Sequence, residues 1–193
     1  MARPREFDRE TALQAATEAF WSRGFDGVGL EELTAAMGIG RQSLYAAFGN
    51  KKALYLEALQ AYNTGNAAAL ISALQEAPSP LMGLRIILLT PIDIDPIERA
   101  KGCFGINAIC EFGQSDPDVL AATSVAGESL QQAVVGLLRA AQEKGEVNKA
   151  LDPRIAAGFV QTLLSGVKIA ARAGGDPRSM QKIVDLALGA LTA

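Results

Sequence analysis

Arg41, Gln42 and Tyr45 fall within five consecutive residues, and Lys51 and Lys52 follow just beyond them. An arginine guanidinium matches the O6/N7 edge of guanine, a glutamine amide the N6/N7 edge of adenine, and a tyrosine hydroxyl a phosphate oxygen. A lysine that opens a helix adds its ammonium to free backbone N–H groups, so Lys51, with Lys52 beside it, is placed for a further phosphate. Other chemistries are poorly served. With no histidine and two cysteines, the chain offers no Ser-His-Asp or Cys-His pair, no histidine-rich zinc site and no disulfide scaffold. No carboxylate pair or glycine-rich phosphate loop stands out, so neither catalysis nor a metal or other cofactor is expected.

Cys103, Asn107 and Cys110 form a second polar cluster at i, i+4 and i+7. On one continuous helix the two thiols would stand roughly 10 Å apart, beyond the reach of a disulfide or a shared ion. Buried structural cysteine is the expected role, and a single reactive thiol with Lys101 as its adjacent cation is the sharper alternative.

These side chains need a scaffold. The 193 residues are 49% hydrophobic and 6% aromatic, enough apolar material for one large domain or two small ones. No period-2 alternation is sustained, so an all-α fold is expected. The start, "MARPREFDRE", is charged where a secretory signal would be apolar, and no apolar run is long enough to span a bilayer, which points to a cytoplasmic protein with no membrane partner. Net charge is −3, and acidic and basic side chains nearly balance over residues 1–60; placement, not bulk charge, must decide whether nucleic acid is a partner.

Apolar spacing predicts a first helix over 8–23, with Leu13, Ala16 and Phe20 inward, and a short second helix from Leu30 to Met37 with Glu31 and Glu32 at its dipole-favoured start. Gly38 ends that helix. Gly40 caps a third, on which Leu44 and Phe48 face the core while Arg41, Gln42 and Tyr45 point elsewhere. A long helix runs from Lys51 to about Glu76, and "APSP" breaks it. The expected division is a head over 1–50, a connecting helix over 51–76 and a body over 77–193. In the body, helices are expected near 80–92, 103–113, 117–144, 153–173 and 177–191, the last three each opened by an Asp-Pro pair.

Two short helices joined by a glycine turn, the second exposing polar groups, form the helix-turn-helix pattern. Residues 8–60 resemble the N-terminal DNA-binding domain of the TetR family of bacterial transcriptional regulators, most specifically in "LYAAFGNKKALY". The resemblance implies a three-helix head that reads operator DNA and a C-terminal helical bundle that dimerises and binds a small-molecule inducer. It implies a homodimeric repressor and no enzyme. Carried over by position, Arg41, Gln42, Ser43 and Tyr45 lie on the recognition helix, Ala47 near the DNA backbone and Lys51 on a phosphate, with Arg3 and Arg5 in a basic arm. Gly29 and Gly40 stand where relatives often carry Ser or Thr caps, which removes two phosphate-binding hydroxyls. Glu31 lies where some relatives contact a base, and solvation is its expected role here. The alternative reading is a helical ligand-binding or scaffolding protein that has lost DNA binding.

In the body, "KGCFGINAICEFG", "DPDVLAAT" and "GVKIAARAGGD" resemble family members whose heads also read "SLYAAFGNK". The last two long helices are expected to pair two protomers as a four-helix bundle through Leu130, Val134, Leu137, Val160, Leu163, Leu164 and Val167, unless those stripes serve the protomer's own core. Phe104, Asn107, Glu111, Phe159 and Thr162 are the expected lining of an inducer pocket.

Overall fold

The computed structural model describes residues 7–192, and among them the chain forms ten helices and no strand. Helix α1 spans Arg9–Arg23, α2 Leu30–Met37, α3 Arg41–Phe48 and α4 Lys51–Glu76. The Asp8 carboxylate accepts the Thr11 N–H to start α1, and Asn50 accepts from Ala53 to start α4; each satisfies one orphan donor of a helix N-terminus. Between α2 and α3 the turn depends on Gly38 at φ 66°, a left-handed conformation that costs glycine nothing.

The body follows with α5 Pro80–Leu89, α6 Pro96–Lys101, α7 Phe104–Phe112, α8 Pro117–Glu143, α9 Pro153–Arg172 and α10 Pro177–Thr192. Helix α6 departs from expectation, which placed no helix over 96–101. Six residues are too few to show periodicity, yet the helix opens with the same Asp-Pro device: Asp95 accepts the Ile97 N–H ahead of Pro96.

Two apolar cores form. One gathers Phe20, Leu33, Leu44, Phe48, Leu54, Tyr55 and Leu59 with Phe104 and Ala108 of α7 and Val119 of α8. Burying each large side chain stabilises by about 1.5–3 kcal/mol. The head's core thus runs through α4 into the body. The second joins the far end of α4 to α5, α8, α9 and α10. It takes in Leu130, Val134, Val160, Leu164 and Val167, at most 8% exposed in the single chain, with Leu137 and Leu163 packed against them. Five of the seven residues expected at the interface thus lie in the protomer's own core, the other use open to these stripes, and have little surface left for a second copy.

No helix among the described residues is long and apolar enough to cross a membrane.

Candidate nucleic-acid interface and the cavity behind it

Helix α3 is held by Leu44 and Phe48, both buried, and this anchoring turns the intervening side chains outward. Arg41, Gln42 and Tyr45 are exposed, while Ser43 and Ala47 are half-buried beside them. The Gly40 cap makes no side-chain hydrogen bond, so the first-turn N–H groups of α3 remain open to an acceptor. Lys51 is half-buried, with its ammonium 4.4 Å from the centroid of the Phe25 ring, a cation–π contact that steadies the charge at the start of α4. Arg5 lies outside the described residues.

Glu31 does more than solvate. Its carboxylate receives a hydrogen bond from Arg41 Nη2 at 2.7 Å, linking the start of α2 to the start of α3. Both side chains are largely exposed, so the pair adds little stability, but it sets where the guanidinium points. Arg9, unremarked in the sequence, bonds both Glu57 oxygens at 2.6 and 2.8 Å and lies over the Phe48 ring. It clamps α1 to α4 around the end of α3.

The head is tied to the body at several points. Glu111 of α7 accepts the backbone N–H of Phe25 at 2.9 Å and that of Asp26 at 3.2 Å. Asp116, at the start of α8, pairs with Lys52, and this hydrogen bond is the main reason its carboxyl stays below the ordinary value of 3.8. Lys101 bridges Glu18 at 2.5 Å and Glu98 at 2.8 Å, and the Trp21 indole N–H donates to the Gly102 carbonyl at 3.1 Å. At the centre of this junction Tyr55 packs edge-on against Phe20, Phe25 and Phe104. Burial, with Glu111 and Asp116 nearby, pushes its phenol well above the ordinary range.

Behind the junction lies a cavity of about 400 Å³. Trp21 of α1, Tyr62, Asn66 and Leu70 of α4, Thr90, Pro91 and Ile94 after α5, Glu98 and Arg99 of α6, and Lys168 and Ala171 of α9 line it with Gly102 and Cys103. None of the five expected lining residues is among them. Phe104 is buried in the head's core. Asn107 donates to the Lys101 carbonyl at 3.0 Å and accepts from Arg172, and Glu111 faces the head. Phe159 and Thr162 project to solvent from the outer side of α9. The cysteines also separate: Cys103 is buried as the N-cap of α7 and Cys110 is exposed. The cation beside Cys103 is Lys168, with Nζ 3.7 Å from Sγ, whereas Lys101 is occupied by two carboxylates.

Comparison with known proteins accords with this arrangement. Residues 12–58 match the family model for bacterial regulatory proteins of the tetR family, and residues 94–187 the tetracyclin repressor-like C-terminal domain. An uncharacterized HTH-type transcriptional regulator, YezE of Bacillus subtilis (strain 168), is 33% identical over 99% of this chain and 100% of its own. The HTH-type transcriptional repressor ComR of Escherichia coli (strain K12) is 28% identical over 96% of this chain and 88% of its own. A cysteine mutant of the TetR family transcriptional regulator CifR, in complex with 26-bp double-strand operator DNA, superposes with a TM-score of 0.80 at 30% identity, covering 98% of this chain and 100% of that one. The chain belongs to the TetR family of bacterial transcriptional regulators, and its helix-turn-helix head makes it a DNA-binding regulator.

Proposed function

We propose that the protein is a homodimeric repressor that reads a near-palindromic operator through α3 and lets go when a small molecule fills the cavity behind the head. The observation that carries this reading is the exposed Arg41, Gln42 and Tyr45 set on a helix whose other face is locked into the core. Arg41 and Gln42 reach base edges, and Tyr45 and Lys51 hold phosphates. One eight-residue helix reads only a half-site, so two heads are needed.

Pairing falls to the outer side of α9. Ile155, Phe159, Thr162, Gly166 and Ile169 recur at helical spacing and are all exposed in the single chain, and an apolar stripe of this kind marks a contact surface. Release follows from the cavity's walls. Trp21 belongs to α1 and Gly102 leads into α7, so a ligand between α4, α6 and α9 presses on the segments that grip the head. A ligand that favours one head spacing shifts the population toward it, and operator DNA weakens ligand binding by the same factor.

Selection from a random duplex library with purified protein near physiological salt tests the reading. An enriched inverted repeat supports it. A folded, dimeric protein that enriches nothing, even after unfolding and refolding to strip bound ligand, would favour a helical ligand-binding protein without operator recognition.

A further inference from the structure

Two cations line the cavity without a carboxylate to answer them. Lys168 is half-buried on α9, and its ammonium has one hydrogen-bond partner among the described residues, the Cys103 sulfur at 3.7 Å. A thiol sulfur is a weak acceptor, and an ammonium carries three donors. Arg99 of α6 spends one nitrogen on the Ile92 carbonyl at 3.2 Å and forms no ion pair among the described residues. The one acid in the wall, Glu98, is taken by Lys101 at 2.8 Å. The wall therefore presents excess positive charge. Elsewhere it is apolar, from the Trp21 indole and the Tyr62 ring to Leu70, Pro91 and Ile94. Cations held partly out of water beside apolar surface cost free energy unless an anion completes them.

We propose that the cavity binds an amphipathic organic acid, its carboxylate held by Lys168 and Arg99 and its apolar body laid against Trp21 and Tyr62. This rests on the reading of the cavity as the effector site and specifies what occupies it. A volume of about 400 Å³ suits a small organic molecule rather than a lone ion. No bond to Cys103 is needed.

Trp21 is the only tryptophan in the chain, so its fluorescence reports on the cavity wall directly. The probes are acid and amide pairs that differ only in charge: benzoate and benzamide, phenylbutanoate and phenylbutanamide, octanoate and octanamide. For at least one pair the acid should quench Trp21 with a Kd about tenfold or more below that of its amide. Lys168→Met should erase the preference while keeping the melting temperature and helical content, Lys168→Arg should retain it, and Cys103→Ala should leave it intact. Equal binding of acid and amide, a preference that survives Lys168→Met, or no binding of any acid in the millimolar range would overturn the assignment. Operator binding, measured in parallel on the selected repeat, separates the two claims. An acid that binds but leaves the operator complex intact keeps the anion site and removes the release mechanism, whereas an intact operator complex with no acid bound removes only the anion site.

Discussion

The carboxylate of Glu111 accepts the backbone N–H of Phe25 at 2.9 Å, so a body helix bonds the chain just where α1 of the head ends. Because Asp26 donates to the same carboxylate at 3.2 Å, one side chain serves two main-chain donors that α1 leaves unpaired. Glu111→Ala should lower stability by about 1.5 kcal/mol, the low end for hydrogen bonds to a charged group because the site is open to water. Amide hydrogen exchange should quicken at Phe25 and Asp26 more than elsewhere in the head; protection unchanged there would show that the junction is held by aromatic packing alone.

Gly105 is required for close approach rather than for flexibility. A Cβ there would lie 2.5 Å from Asn63 Oδ1, and Asn63 is buried with its amide donating to the Ala122 carbonyl at 3.3 Å. Gly105→Ala should destabilise by about 1–3 kcal/mol, as overpacking of a tight core does. Adding Asn63→Ala should recover part of the loss, and a strictly additive double-mutant cycle in chemical denaturation would contradict the clash.

Adjacent residues on α9 have opposite assignments. Phe159 is 42% exposed and Val160 1%. Phe159→Glu should leave helical content and melting largely intact while converting a dimer to monomers by sedimentation and abolishing operator binding. Val160→Glu should unfold the body, since a buried unpaired carboxylate costs several kcal/mol. A Phe159→Glu protein that remains dimeric would move the interface off this face.

Three aspartates at helix starts set the acid limb of stability. Asp116 is held below its ordinary pKa chiefly by Lys52, Asp8 by the Thr11 N–H and Asp176 by the Ser179 hydroxyl. A folded value below the unfolded one means that each contribution is complete above the unfolded pKa of about 4 and is lost as pH falls through the folded value. With respect to these groups, melting temperature should be level from about pH 8 to 5 and fall below about pH 4. Asp116→Asn should make that fall shallower in thermal melts across pH.

The head was legible in the sequence because its signals are local. Leu44 and Phe48 at one-turn spacing, bounded by glycines, leave Arg41, Gln42 and Tyr45 only the outer face. The cavity was not, because its wall comes from four helices and the turns between them, and no window of sequence brings Trp21, Glu98 and Lys168 together. Phe159 and Thr162 could not be placed from the sequence for a related reason: α9 is apolar on both its core side and its outer side, so periodicity cannot tell a protomer's interior from a surface for a second copy. Glu111 reads as a pocket acid by its neighbours in sequence, yet its partners are main-chain groups 85 and 86 residues away.

Base reading by α3 is tested by binding of wild-type and Arg41→Ala protein to the selected operator and to every single base-pair substitution within it. Arg41→Ala should cost about 1–3 kcal/mol on the intact operator and lose discrimination at one base pair in each half-site, related by the two-fold axis. Lys51→Ala, as the phosphate control, should weaken all sequences alike and reduce the salt slope by about one. Equal weakening by Arg41→Ala across every sequence, with no position relaxed, would contradict base reading by this helix.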